Sequence, residues 1–405
     1  MRPLFKWYRR RPSSATTSPT GQVVKVIHSF YRSSQPSGEN ETVLQQVDLL
    51  ASHGYDVELI YLASDDLEKS QLATVATAMG MIAGHPLADL PHSWCKGADI
   101  LHIHNTFPSM SLRSLAGVRV PKVISLHNYR AFCANGLFLR DGHRCVDCTQ
   151  YSSWHSVIHG CYRGSSLQTI PIASQQVGMA SLASFLNKCD TVLVPGEPMR
   201  DILAQLGVRN LEVLPNPIRP QPPSTGAEFT GPAWLFAARL TAEKGLAELL
   251  EIWPRDVTLL VVGEGPSQPA CKEIIERRGL RVEILGGLPN QRLRALMSQC
   301  IGFIFASKAQ EGAPMVYGEA LNAGLPLLAV RGSTVAAQVE LDRTGITFDL
   351  DDEYALAAAM AMVEAHRDEL SQRAQKVFAS RYTPDHWAEG VRAIYERTVR
   401  LHFSK

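Results

Sequence analysis

The chain has 405 residues, of which 45% are hydrophobic and 20% charged, with a formal net charge of +1. That balance excludes a disordered or fibrous chain and gives no footing for bulk nucleic-acid binding. The length suits two domains of ordinary size, and no run approaches the ~18 consecutive apolar residues of a membrane span.

Residues 1–21 read as a basic flexible leader. MRPLFKWYRRR holds Arg2, Lys6, Arg9, Arg10 and Arg11 and no acid, with Leu4, Phe5, Trp7 and Tyr8 among them. It lacks the long apolar core of a secretion signal. A disordered tail is one reading. A peripheral contact with anionic lipid at the inner face of a membrane is the other, since each basic residue contributes about 1 kcal/mol there. Without a signal peptide, a cytoplasmic chain with reduced thiols is the expectation. Eight cysteines are too few over this length for a disulfide scaffold.

From Val23 short β-branched runs alternate with helical patterns, the signature of parallel α/β sheets. VVKVIHSF is followed by an amphipathic helix through Val43, Val47 and Leu50, stopped at Gly54. VELIYL, DILHIH, KVISLH and TVLVPG complete a first domain over 22–216, with His102 and His104 alternating on one strand. Prolines crowd between Pro215 and Pro232 and place a semi-rigid linker at 217–232. AWLFAARL, VTLLVVGEG, VEILGG, IGFIFASK and PLLAVRG restart the pattern as a second domain over 233–384. In 385–405, Trp387, Val391, Ile394 and Tyr395 fall at helical spacing, and a helix crossing back to the first domain is expected. The fold class is α/β: two doubly wound, Rossmann-like domains facing a central cleft. Strand carboxyl ends and helix amino ends meet ligands there.

The richest stretch is EGAPMVYGEALNAGLP, beginning at Glu311. Pro314 suits a helix start and Gly324 a helix stop. Backbone amides from Ala313 through Pro314 and Met315 to Val316 would then face the cleft, a start that favours phosphate. Glu311 and Glu319 flank it. Carboxylates beside phosphate make sense as acceptors for hydroxyls on either side, which is the layout of a sugar nucleotide: Glu311 for the hexose, Glu319 for the ribose. Arg239 and Lys244, in ARLTAEKG, supply a planar fork and a point charge for the phosphates.

In order and spacing, ARLTAEKG, LVVGEGP, LGGL and EGAPMVYGEALNAGLP resemble the second domain of the retaining GT-B glycosyltransferases of family 4. The resemblance covers nearly the whole second half. It implies that Glu311, Glu319, Arg239 and Lys244 form the donor pocket, that configuration is retained, and that the donor is a nucleoside-diphosphate sugar. The family usually has an aromatic or aliphatic residue where Ala313 stands, a departure bearing on sugar selectivity. The first half is similar more loosely. PSGENETVLQQVDLLASHGYDVELI resembles the family's first βα unit, which makes Gly38 the close-approach glycine and puts Glu39 and Asn40 beside the acceptor. VISLHNYR matches His127 to the histidine near the transferred sugar, with Asn128 beside it on the acceptor side. The implied acceptor is a glycan or a lipid-linked glycan of surface polysaccharide or lipopolysaccharide assembly, with UDP or GDP as donor carrier. The competing reading is a non-catalytic nucleotide-sugar or glycan-binding module on the same fold.

VVGEGP offers Gly263 and Gly265, but Gln268 holds the third position, so the dinucleotide fingerprint is incomplete. Asp349 to Asp352 precede an alanine-rich helix and read as caps, with no catalytic metal expected. In the insertion at about 130–165, Cys133, Cys145, Cys148 and Cys161 have the ligand count of a structural zinc. Unbound thiols, a redox pair and an iron–sulfur cluster are the alternatives.

Overall fold

In the computed structural model the described residues are 6–10, 21–30, 38–63, 92–105, 117–176, 186–220 and 231–404, with isolated positions between 75 and 115. Most of the leader (1–5 and 11–20) and most of the linker (221–230) lie outside them. The chain divides into two compact units. One comprises Met1–Phe138, Val146–Pro217 and Pro384–Lys405; the other Leu139–Cys145 and Ile218–Thr383.

Strands β1 (Lys6–Arg10), β2 (Val23–Phe30), β3 (Asp56–Ala63), β4 (Ile100–Ile103) and β5 (Lys122–Ser125) open the first unit. After a two-stranded hairpin of β6 (Leu139–Arg140) and β7 (His143–Arg144), it continues with β8 (Thr191–Val194) and β9 (Leu211–Val213). Its seven-stranded sheet has the order β1-β3-β2-β4-β5-β8-β9. Every neighbouring pair is parallel except β1 with β3. Here the structure corrects the sequence reading. Lys6–Arg10 is not part of a flexible leader but an antiparallel edge strand, registered Lys6 to Tyr61 and Arg10 to Val57. The open edge of β3 carries Asp56 and Glu58, and Arg9 Nε donates to Asp56 Oδ1 at 3.1 Å. Nothing in the local composition of the leader encodes that pairing.

The longer helices of the first unit, before the last one, include α1 (Gly38–Ser52), α2 (Ser166–Gln176) and α3 (Glu197–Gln205). β4, β5 and β8 are buried along their whole length, which is why they read as unbroken apolar runs.

The second unit holds β10 (Trp234–Ala237), β11 (Leu259–Val262), β12 (Val282–Gly286), β13 (Gly302–Phe305), β14 (Leu327–Val330) and β15 (Gly345–Phe348). All are parallel, in the order β12-β11-β10-β13-β14-β15. Its helices are α4 (Leu246–Ile252), α5 (Gln268–Arg278), α6 (Asn290–Met297), α7 (Met315–Asn322), α8 (Thr334–Asp342), α9 (Glu353–Ala365) and α10 (Arg367–Arg381). The period-2 rule sends Leu235 and Ala237 of β10 to one helical layer, with Tyr317, Leu321 and Phe378. Trp234 and Phe236 go to the other, with Leu249, Leu356 and Met360. Gly263, at φ 133°, lies where an added Cβ would stand 1.8 Å from Ala238 O. The glycine of VVGEGP therefore serves close packing against the end of β10, with no need of a dinucleotide. Asp352 Oδ1 accepts from Tyr354 N and Ala355 N and caps α9.

The last helix, α11 (Pro384–Phe403), belongs to the first unit. Trp387, Val391, Ile394 and Tyr395 share one cluster with Val24, Val26, Val57 and Leu59 of the sheet and Val43 and Val47 of α1. Thr398 Oγ1 meets Thr191 Oγ1 at 2.7 Å, and His402 Nδ1 meets Asp190 Oδ2 at 3.0 Å. No helix among the described residues is long and apolar enough to cross a membrane.

Candidate active site

In the second unit the strand order reverses between β10 and β13, and a cavity lies at their carboxyl ends. Ala238, Lys244, Ser307, Glu311, Pro314 and Val316 line it. Lys244 closes a single 3-10 turn, Ala242–Lys244. Gly245 follows at φ 71°, and a Cβ there would stand 2.1 Å from Ala306 O. The turn thus rests directly on the end of β13, a contact only glycine permits.

Lys244 Nζ donates to Glu311 Oε2 at 2.7 Å, the two side chains being 17% and 14% exposed. Burial works to raise the Glu311 carboxyl. The Lys244 charge and hydrogen bond, the Ser307 hydroxyl and the Arg239 charge outweigh it and hold the group below its ordinary range. The backbone is fixed as well: Thr334 Oγ1 accepts from Glu311 N and donates to Glu311 O, each at 2.8 Å. Arg239 is exposed just beyond β10.

Pro314 stands as the extended N-cap of α7, at φ −68°. Ala313, Met315 and Val316 are half-buried around that start, and Tyr317 N bonds back to Pro314 O at 2.9 Å. Glu319, one turn further, is only 4% exposed. Arg294 of α6 donates to its Oε1 through Nε at 3.2 Å and Nη2 at 2.8 Å. Both bonds land on one oxygen and leave the second to other donors. Arg294 also ties to Arg219 O at 2.9 Å through Nη1. Sequence reasoning singled out neither Arg294 nor Thr334. A basic residue on the amphipathic pattern of α6 reads as a solvated face until α7 is packed beside it.

In the first unit the corresponding reversal, between β2 and β4, carries histidines. His28 Nε2 lies 3.0 Å from Asn40 Oδ1, so the ring N–H donates. His102 meets Tyr395 OH through Nδ1 at 2.7 Å and Ser125 Oγ through Nε2 at 2.8 Å. His104 Nδ1 and His127 Nε2 are 3.0 Å apart with rings inclined by 16°. Burial pushes His28 down to about 4 and His102 to about 3, drives His104 well below its ordinary value and lowers His127. The Glu39 charge opposes that shift at His28 and His127. The four rings are accordingly neutral at pH 7, and within the His104–His127 pair one ring donates to the other. Glu39, in the first turn of α1 after the exposed Gly38, accepts from Asn128 Nδ2 at 3.2 Å through Oε2. Its Oε1 is buried without a hydrogen bond.

The expected four-cysteine zinc set does not assemble. Cys145 falls in the second unit and the other three in the first. Cys133 is buried in the core, its thiol donating to Asn135 Oδ1 at 3.0 Å. Cys161 packs against Ala134 and Ile172. Among the described residues no three of these sulfurs come within 4.8 Å of one another. Local turns fix two of the cysteines separately: Cys133 N bonds to Tyr129 O at 2.8 Å and Cys161 N to Ser156 O at 2.9 Å.

Two families match end to end: Glycosyltransferase Family 4 over residues 36–221 and Glycosyl transferases group 1 over residues 220–378. The chain is 27% identical over 172 residues to WcaL of Escherichia coli (strain K12), a protein named for colanic acid biosynthesis glycosyltransferase activity. That match takes in 39% of this chain and 41% of the relative. Among solved structures, sucrose-phosphate synthase from Thermosynechococcus elongatus is similar, with a TM-score of 0.62 at 15% identity over 93% of this chain and 98% of the other. HepE of Anabaena, solved in complex with UDP, gives a TM-score of 0.57 at 16% identity over 93% and 99%. At such identities these two establish the fold, a GT-B arrangement of Rossmann-like units.

Proposed function

We propose that this chain, which belongs to the GT-B glycosyltransferases of family 4, transfers a hexose from a nucleoside-diphosphate donor to a hydroxyl acceptor. The anomeric configuration is retained. The acceptor is a glycan or lipid-linked glycan of surface polysaccharide assembly, a reading favoured by the likeness to WcaL. The UDP complex of HepE favours a nucleoside diphosphate as the carrier.

The observation that carries this reading is the Lys244–Glu311 pair at the reversal of the second sheet. Lys244 has three donors and spends one on Glu311, so two remain for phosphate oxygens. Arg239 adds a planar fork. Glu311, kept ionised, accepts from hexose hydroxyls. Glu319, its Oε1 held by Arg294, offers its other oxygen to the ribose. In the reaction the bond from the anomeric carbon to the β-phosphate oxygen breaks, and the acceptor oxygen bonds to that carbon from the same face. The acceptor's proton passes to the departing phosphate, whose charge Lys244 and Arg239 stabilise. The first unit offers neutral His127 and the half-buried Glu39, a donor–acceptor ring and a carboxylate of the kind that bind hydroxyls.

Calorimetric binding of UDP against GDP, followed by turnover with a panel of nucleotide sugars, tests the reading. Tight binding of one nucleotide with transfer or slow donor hydrolysis is expected. Binding without either would make the chain a non-catalytic module. Unaltered turnover in Glu311→Ala would remove the assignment.

A further inference from the structure

The stretch from Val146 to Cys161 in the first unit is built from two four-residue helices, Asp147–Gln150 and His155–Ile158. It has little apolar burial to hold it. The local cluster consists of Ala134 and Ile172, with Cys161 and Tyr162 packed against them, while Tyr151 is 74% and Ile158 73% exposed. Buried hydroxyls give it part of its order, Ser153 Oγ donating to Ala173 O at 3.0 Å and Ser156 Oγ to Ser153 O at 2.6 Å.

Asp147, His155 and His159 gather on the same segment. Each brings a ligand atom into a group whose members all lie within 4.8 Å of one another. His155 and His159 are one helical turn apart, with His159 N bonded to His155 O at 3.2 Å, so both imidazoles stand on the same side. The Tyr151 ring lies beside His155 at 5.6 Å between centroids and limits its rotation. Gly160 then turns away at φ 57°, and a Cβ there would sit 3.3 Å from Gly164 C and Ser165 N, so the chain leaves His159 by a tightly packed path.

We propose that Asp147, His155 and His159 bind a borderline divalent cation, zinc or one of similar chemistry, that ties the two short helices together. Two imidazoles and one carboxylate suit such an ion better than magnesium or calcium, which prefer all-oxygen shells. Ligand bonds of about 2.1 Å in a tetrahedron place the donors ~3.4 Å apart, so atoms that already lie within 4.8 Å of one another need to close by at most ~1.4 Å. His159 is exposed, which leaves the fourth position to water. The ligand set contains none of the four cysteines and none of the residues assigned to donor or acceptor.

The test uses the full-length protein, stripped with a chelator and titrated with Zn2+ and, separately, Co2+. About one equivalent of zinc bound per chain is expected, with weak cobalt d–d bands and no thiolate-to-cobalt charge transfer. Cys145→Ser and Cys148→Ser should bind as wild type. Asp147→Asn, nearly the same size, and His155→Ala with His159→Ala should each lose affinity by ~100-fold or more, beyond the cost of losing an outer-shell partner. Circular dichroism would verify that the variants are folded; Asp147→Asn is the decisive one if the histidine pair is not. Zinc absent from the wild type, zinc held equally by Asp147→Asn, or a strong thiolate charge-transfer band would overturn the proposal.

Discussion

The two sheets reverse their strand order in the same manner, yet the residues gathered at the two reversals differ in kind. The second unit has ionised side chains paired off, Lys244 with Glu311 and Arg294 with Glu319. The first has a packed set of imidazoles that burial keeps neutral, with Glu39 as their neighbouring acid. One topology therefore hosts either fixed charge or uncharged hydrogen-bonding groups, depending on whether the strand ends bring a counter-ion with them. A pyrophosphate needs the first kind. A sugar hydroxyl, or a hydroxyl nucleophile, is served by the second.

Acid should separate the two units most strongly. A histidine whose folded value lies below its ordinary 6.5 gains a proton on unfolding. Its contribution to stability is complete above pH 6.5 and is lost as pH falls toward about 4 for His28 and about 3 for His102. Each such group drains about 1.4 kcal/mol per pH unit in that window. His28, His102 and His104 together approach ~4 kcal/mol per unit, a large share of the ~5–15 kcal/mol that holds a domain. Glu311, depressed instead, keeps its contribution until the pH nears the ordinary carboxylate value of about 4.3. Between pH 6.5 and 4.5, hydrogen exchange corrected for intrinsic rates should therefore rise in the first unit before the second. Equal loosening in both would mean that the imidazoles are not neutral in the native state.

Next in size is Lys244→Ala. The substitution should cut turnover by ~10²–10³-fold, as losing a preorganised charge on a departing group does elsewhere. It also reverses the titration of Glu311. With the main counter-charge gone, burial prevails and the carboxyl rises, so the stability deficit of the variant against wild type should shrink as the pH falls. Denaturant unfolding at pH 7 and pH 5 measures it. A deficit that stays constant or widens would mean that Lys244 does not govern Glu311.

Much of this was readable beforehand, for identifiable reasons. Strands buried on both faces must be apolar throughout, so the alternation of WLFA, LLVV, GFIF and LLAV with helical patterns announces a parallel sheet. Lys244 and Glu311 lie in compact motifs whose spacing fixes their place at strand ends. The stripe of Trp387, Val391, Ile394 and Tyr395 is visible at helical spacing, whereas the surface it meets is a matter of tertiary packing. Lys6–Arg10 is not legible as a strand, because pairing Lys6 with Tyr61 and Arg10 with Val57 leaves no local mark in either segment. Whether Cys133, Cys145, Cys148 and Cys161 converge is not legible in the sequence, because residue count says nothing about convergence.

Arg294→Leu carries the comparison into the second charge pair. It strands Glu319, which is almost fully buried, without its cation, at an expected cost of ~2–3 kcal/mol. If Glu319 serves the ribose, nucleotide affinity should fall about tenfold or more while the affinity for free sugar is unmoved. A stability loss with unchanged nucleotide binding would confine Arg294 and Glu319 to the core.

The smallest expected effect is Tyr395→Phe, and it bears on how the imidazoles stay ordered. The phenol is buried among apolar side chains, and burial drives its ionisation far above the ordinary tyrosine value, so it is a neutral hydroxyl at any working pH. Removing it leaves His102 Nδ1 unpaired while Ser125 still meets Nε2. The loss should be about 1 kcal/mol, or ~3 °C in Tm for a unit of this size. Thr398→Val, which breaks the bond to Thr191 with little change of shape, gives the reference for an ordinary buried hydroxyl on α11. If the two variants match in Tm and in acid sensitivity, the tyrosine merely fastens a helix. If Tyr395→Phe alone also alters the acid-sensitivity of the first unit, the hydroxyl fixes the tautomer of His102, because only a change at the imidazole alters how many protons the folded state binds.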